Sequence, residues 1–281
     1  MSDPAFTTEI RLLSRSRAVW ICWLAIAALL VAAVFGASPP RTVQPVDVHP
    51  ILFVLFENVE STYEAVIRTY FTALLLLPLV AFVHSYGAIV EERETGRLRV
   101  ALTMPCSRRR LYGAILAARS VTFLVPLFVA LLIAGIALAS AVGANALRPY
   151  GYVVLAACLL ALACVSIGVA ISAGASTSNR AVGALFVVYA GLLVIYPIGL
   201  LRSPLPYGLL FLNPLFASTA LMTNASPHIG MPGAVDGSET GMIERETIPF
   251  YLSDPFLVLV LLGWTIVAAL IGRWLLTRTD L

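Results

Sequence analysis

The chain has 281 residues, of which 60% are hydrophobic and only 12% are charged, and its formal net charge is +3. A soluble domain carries roughly 25% charged residues, so this composition excludes an ordinary soluble protein and indicates a single polytopic membrane domain. All 18 basic residues are arginine, which excludes a P-loop nucleotide site because that motif, GxxxxGK[ST], needs a lysine.

Residues 1–17 are predicted to form an amphipathic helix at the inner membrane surface. Phe6, Ile10 and Leu13 recur at helical spacing, and arginines lie between them. Such a helix keeps its arginine heads near lipid phosphates, so membrane lipid is a predicted partner. The alternative is a signal peptide with Ala18–Phe35 as its apolar region. These 18 residues exceed the usual length of roughly 7 to 15, so we favour a retained span.

Six apolar runs are long enough to cross about 30 Å of hydrocarbon as helices. The fold class is therefore predicted as all-α, a polytopic membrane protein with six transmembrane helices. Six crossings bring both termini to one side, which carries 13 arginines against 5 on the other. The positive-inside rule puts both termini of this multi-pass protein of the cell membrane in the cytoplasm, and it explains the basic charge without nucleic acid. The runs are Ala18–Phe35, Thr69–Val90, Ser120–Val142, Tyr152–Ala173, Ala181–Leu201 and Phe256–Gly272.

Ionisable residues near the inner end of the second run raise the question of catalysis. Membrane proteases of the prenyl-endopeptidase type need EExxxR, but Glu91-Glu92 is followed at the arginine position by Gly96, and Arg97 comes one residue late. We therefore predict no catalytic residue, metal site or cofactor site in this chain. His84 is an intramembrane ionisable residue and thus a functional candidate. A neutral histidine that hydrogen-bonds inside the bundle is the interpretation we favour.

The densest charge lies between the second and third runs, where residues 90–120 contain three acids and seven arginines. Gly96 allows the chain to turn after the acidic end of the second run. Leu98 and Leu102 then lie on one apolar stripe at helical spacing, which predicts a short amphipathic helix. Pro105 ends that helix, and Ser107 is placed to cap the next one by accepting a bond from a free backbone N–H.

This pattern over residues 91–119 resembles the loop between the second and third spans of ABC type-2 transporter permeases, including the NosY-like ones. In that family the loop forms a coupling helix that docks on a separate ATP-binding subunit. The chain departs from the family pattern at Arg97, where threonine is common, and at Ala114, where lysine is common. The resemblance is carried by Glu94-Thr95-Gly96-Arg97-Leu98, by Pro105-Cys106-Ser107-Arg108, and by Gly113 and Arg119.

The resemblance implies a coupling role for residues 91–119. It also implies that ATP and Mg are bound by the partner subunit, and that the chain works as a homodimer or with a paired permease. The alternative is an ordinary solvated basic loop, but the spacing of glycine, proline and serine favours coupling. The residues expected to couple are Glu94, Gly96, Leu98, Leu102, Pro105, Ser107 and Arg108.

The outer segment, residues 202–254, contains an apolar stretch that prolines interrupt, Pro204–Thr223. A seventh crossing there would place Arg273 and Arg278 outside, so we predict two short re-entrant or surface helices. Asn213-Pro214 resembles a family feature before the last span, where related permeases carry short outer helices. Soft side chains that suit copper ions also occur, at an irregular spacing that favours scattered loop residues: Met222, His228, Met231 and Met242.

We interpret residues 1–281 as one permease domain, the membrane subunit of an ATP-driven ABC exporter. The alternative is a non-transporting membrane receptor or assembly module that binds a soluble partner through its basic cytoplasmic loop. An ATPase gene beside this one would favour the first interpretation.

Overall fold

The computed structural model describes residues 76–98, 107–203, 206–223 and 249–278. Within these ranges the chain is helical almost throughout and contains no β-strand, which confirms the all-α class. The predicted interface helix over residues 1–17 and the first predicted span lie outside the described residues. The helices, in order, are α1 (Gly87–Glu94), α2 (Arg108–Val142), α3 (Leu147–Gly174), α4 (Ser178–Ala190), α5 (Tyr196–Leu201), α6 (Pro214–Thr223) and α7 (Asp254–Arg278).

Four helical stretches among the described residues are long and apolar enough to cross a membrane. They coincide with the third to sixth predicted spans, and the described part of the second, residues 76–90, is helical except for a turn at Tyr86. The chain is therefore a multi-pass membrane protein. The four stretches are Arg108–Ser140, Leu147–Gly174, Ser178–Leu200 and Asp254–Arg278.

Helix α3 is the centre of the bundle. It packs against α1, α2, α6 and α7, and most extensively against α7. Small residues make these approaches possible, since a Cβ at Gly168 would overlap the Ser85 hydroxyl and one at Gly272 would overlap Tyr112 and the backbone of Ala170. Glycine and alanine residues thus let the helices approach closely, around a core whose large members include Phe123 and Leu160.

Helix α2 begins twelve residues before the predicted third span. Its 35 residues form one continuous helix from Arg108, whereas the apolar run begins only at Ser120. At about 1.5 Å per residue such a helix is about 52 Å long, which exceeds the roughly 30 Å of hydrocarbon. The arginine-rich first turns of α2 therefore extend the third span beyond the hydrocarbon.

The described residues of the interrupted apolar stretch, 206–223, form two short helices, as predicted. A 3₁₀ helix over Tyr207–Leu212 precedes α6, and the extended backbone of Asn213 separates the two. Asn213 is buried, its Oδ1 accepts the Leu215 backbone N–H at 2.9 Å, and its Nδ2 donates to the Leu192 carbonyl at 2.7 Å. A single amide side chain thus begins α6 and fastens it to the preceding span.

The Leu192 carbonyl is available because the helix is irregular there. Residues Gly191–Ile195 form a π-helical turn between α4 and α5. In a π turn a carbonyl bonds the N–H five residues on, and for Leu192 that residue is Pro197, which has none. The Asn213 amide takes the place of the missing donor, and the Tyr196 hydroxyl adds a second link by donating to the Leu209 carbonyl at 2.6 Å.

Candidate functional site

The charged block between the second and third spans has the local structure predicted for its two ends. Helix α1 ends at Glu94, Thr95 follows as a turn, and Gly96 has a φ of +76°, a conformation that favours glycine. Residues 97–98 are helical again. After residues 99–106, which include Leu102 and Pro105 and lie outside the described residues, the Ser107 Oγ accepts the Arg110 backbone N–H at 3.3 Å and caps α2.

Glu94 contacts this chain's own fourth helix. Its carboxylate accepts the Ser178 backbone N–H at 2.8 Å and the Ser178 hydroxyl at 2.6 Å. These two hydrogen bonds stabilise the charged form and hold the pKa of Glu94 below its ordinary value. Because the folded-state pKa is lowered, the contact is complete at neutral pH and is lost only as the pH falls through that lowered pKa.

Arg93 holds the end of α3, a role that was not predicted from the sequence. Its guanidinium donates to the Ala175 carbonyl at 2.7 Å and to the Ala173 carbonyl at 3.0 Å. The last carbonyls of a helix have no partner within it, and a cation is favourable there. The signal was present in the sequence, since Arg93 lies one helical turn after Ile89 and Val90 and so on the same face of α1.

Ser172 makes a third connection between α1 and α3. Its hydroxyl oxygen accepts the backbone N–H groups of Ile89 at 2.9 Å and Val90 at 3.1 Å, and it is fully buried. We call Arg93 and Glu94, with their partners on residues 173–178, the clamp. The clamp and Ser172 fix the inner end of the second span to the connection between α3 and α4.

Leu98 packs against its own chain in the described structure, and its contact with a partner subunit stays a prediction. Its side chain is 2% exposed and belongs to this chain's own hydrophobic core, so in this conformation it is not accessible to another protein. Its neighbour Arg97 is exposed and forms an ion pair with Glu92 at 3.5 Å. Packing of the Leu98 side chain against its own chain removes its apolar surface from water.

Arg108 lies at the same end of the bundle as the end of α7. Its guanidinium donates to the Thr277 carbonyl, near the end of α7, at 3.5 Å. The next two arginines of α2, Arg109 and Arg110, have exposed side chains. The inner ends of α2 and α7 therefore lie together, beside an exposed basic surface.

A second polar cluster lies where the second span is interrupted. Arg119 donates to the His84 carbonyl at 2.8 Å, and His84 Nε2 lies 3.2 Å from the Thr122 hydroxyl. Thr122 donates its own proton to the Ala118 carbonyl at 2.8 Å, so Nε2 is the donor to Thr122. The favoured interpretation of His84, a histidine hydrogen-bonded inside the bundle, agrees with this geometry.

Within the described ranges, no group of three or more His, Cys, Asp or Glu residues lies close enough together to hold a metal ion. Met222 is buried at 3% exposure in α6 and is a core residue. His228, Met231 and Met242 lie outside the described residues.

Comparison with protein families identifies a match for this chain. The family model described as "ABC-2 family transporter protein" matches residues 5–281, which is nearly the whole chain. Among curated proteins, none matches it.

Proposed function

Because the chain belongs to the ABC-2 family of transporter proteins, we propose that it is the membrane-spanning permease subunit of an ATP-driven exporter. Membership of this family makes it a membrane transport component and not itself the ATPase. The observation that carries the proposal is the match over residues 5–281 to a family of membrane transporters, for a chain without lysine. A separate subunit then binds ATP and Mg and supplies the energy.

The coupling region, residues 91–119, is the proposed docking surface for that subunit. It holds the densest charge of the chain, and its described ends are attached to the spans by the clamp and by the Ser107 cap. Glu94, Gly96, Pro105, Ser107 and Arg108 shape and fix this region, and Leu102 is the apolar residue proposed to enter a groove of the partner. Leu98 anchors the region to the bundle.

Two copies, as a homodimer or with a paired permease, complete the proposed transporter. Both termini lie in the cytoplasm in this arrangement, and the inner end of α7, with Arg273 and Arg278, faces the same side as the coupling region. The contact of Arg108 with Thr277 supports this placement, because it joins the two inner ends directly. Membrane lipid surrounds the apolar faces that α2 and α7 expose, such as Ile136 at 71% exposure and Leu259 at 67%.

The test is co-purification of the chain with an ATP-binding subunit encoded beside it. Leu102→Asp is expected to abolish co-purification while the chain still inserts in the membrane, because burying one such leucine contributes on the order of 1.5 to 3 kcal/mol. Arg99→Ala is the control and is expected to weaken it only modestly, since an exposed ion pair contributes about 0 to 1 kcal/mol.

Leu98→Asp is not a usable substitute, because it would bury an unpaired carboxylate in this chain's own core. Wild-type co-purification and ATP hydrolysis for Leu102→Asp would remove the coupling role. An intact membrane complex with a soluble partner that hydrolyses no ATP would instead favour the receptor or assembly module.

A further inference from the structure

The regular helical hydrogen bonding of the second span is interrupted just after Tyr86, near its inner end, and we call this interruption the division. Tyr86 itself keeps α-helical backbone angles, with φ −59° and ψ −39°, and its N–H donates to the Phe82 carbonyl at 2.9 Å. Residues 76–85 are helical, Tyr86 is a turn, and α1 begins at Gly87. Backbone groups around the division bond side chains of other helices: the His84 carbonyl accepts from Arg119, and the Ile89 and Val90 N–H groups donate to Ser172. The division is therefore a built feature of the bundle, where every such bond comes from a neighbouring helix.

Helix α4 contacts the second span on both sides of this division. Before it, the Phe82 ring lies edge-on to Tyr189, with centroids 6.4 Å apart. After it, the Glu94 carboxylate holds the N-terminal end of α4 through Ser178. A change of angle at Tyr86 must therefore displace the inner end of α4 relative to its middle.

Helix α4 is also the least restrained of the candidate spans among the described residues. Only 17% of the most apolar 18 residues within Ser178–Leu200 are buried, against 67% within Leu147–Gly174, and the buried residues of α4 are Ala181 and Leu185. Both of these buried residues lie in the first two turns of α4, so its inner end is attached to the bundle and the remainder of α4 is largely exposed. When α1 moves, α4 therefore follows more readily than the enclosed α3.

We propose that Glu94 is a positioning residue that transmits movement of the coupling region to α4 through Ser178. This inference rests on the proposed function, because the movement originates in the ATP-binding subunit. Glu94 acts inside the chain here, as the link between α1 and α4. Arg93 supports it by holding residues 173–175, so that the start of α4 stays in reach.

The experiment uses the complex with the ATP-binding subunit, on a background lacking the four native cysteines, with spin labels at two pairs of exposed positions. Arg97→Cys with Asn179→Cys reports the distance from the coupling region to α4. Gly151→Cys with Asn179→Cys reports movement of α4 relative to α3, and a side chain at Gly151 meets open space. Glu94→Ala is compared with Glu92→Ala, which removes the same charge from the same helix but lies outside the clamp.

Without nucleotide, the distribution of distances between the labels at residues 97 and 179 is expected to be narrow in the wild type and in Glu92→Ala. The same distribution is expected to be broad in Glu94→Ala. On addition of ATP, the distance between the labels at residues 151 and 179 is expected to change in the wild type and in Glu92→Ala. It is expected to stay constant in Glu94→Ala, although the ATP-binding subunit remains bound to that variant. The inference would be overturned if Glu94→Ala kept the narrow 97–179 distance distribution and showed the full ATP-dependent change in the 151–179 distance. It would also be overturned by a wild-type complex that hydrolyses ATP with no shift at 151–179, whereas failure of the subunit to bind the wild type would overturn the proposed function.

Discussion

Single polar side chains connect helices in this protein by bonding to backbone groups. Arg93 takes the last carbonyls of α3, Ser172 takes two N–H groups of α1, and Asn213 both donates to Leu192 and caps α6. Away from water, such groups have few other partners, so each side chain replaces a bond that would be missing. The role of these residues is set by backbone geometry, in contrast to charge pairs such as Glu92 with Arg97.

Removal of the Asn213 amide tests whether a single polar side chain stabilises the fold by bonding to backbone groups of two helices. Asn213→Ala leaves the Leu192 carbonyl and the Leu215 N–H without their partner in a buried place, which is expected to cost about 1 to 3 kcal/mol for each unsatisfied group. The thermal unfolding midpoint of the detergent-solubilised protein should fall. Asn179→Ala, at an exposed position, is the control and should have the same unfolding midpoint as the wild type. Equal midpoints for Asn213→Ala and Asn179→Ala would contradict the role assigned to the Asn213 amide.

At the scale of the element, two spans depart from a regular α-helix, at Tyr86 and at Gly191–Ile195. The apolar runs predicted where spans lie, and the turn at Gly96 and the cap at Ser107 followed from local rules. Neither irregularity followed from the sequence, because each is completed by a residue far along the chain. Ile89 and Ser172, for example, are 83 positions apart, and no local pattern pairs them.

The division of the second span can be tested through Ser172. Ser172→Ala removes the acceptor of the Ile89 and Val90 N–H groups, so hydrogen exchange at these two amides should accelerate and stability should fall by about 1 to 3 kcal/mol. Ser166→Ala is a matched control, since Ser166 is equally buried in α3 but bonds only the Leu162 carbonyl of its own helix. Similar exchange at Ile89 and Val90 in both variants would show that Ser172 does not hold the division.

For the whole molecule, the arginine asymmetry predicts an orientation in the membrane, which the helices alone do not determine. Composition predicted a multi-pass all-α protein, and the described helices and the family match agree with it. The sequence did not predict that α3 lies at the centre of the bundle and α4 at its edge, because both apolar runs have a similar composition of apolar residues. Their difference lies in which neighbours pack around them.

Orientation is tested by cysteine labelling with a membrane-impermeant reagent in intact cells. Ala234→Cys, in the outer segment, is expected to react from outside, and Arg109→Cys, on the exposed start of α2, only after permeabilisation. Both variants belong on a background without the four native cysteines. Reaction of Arg109→Cys in intact cells would reverse the predicted topology.

The central place of α3 also constrains how the protein is made. Its most extensive partner is α7, and residues 175–253 separate the two. At about 5 to 20 residues per second, synthesis from the end of α3 to the end of α7 takes on the order of 5 to 20 s. During that interval α3 lies in the membrane with its α7-facing surface covered only by lipid or by earlier helices. Assembly of the bundle core therefore has to wait for translation, and slowing translation after residue 174 should prolong the life of a partly assembled intermediate.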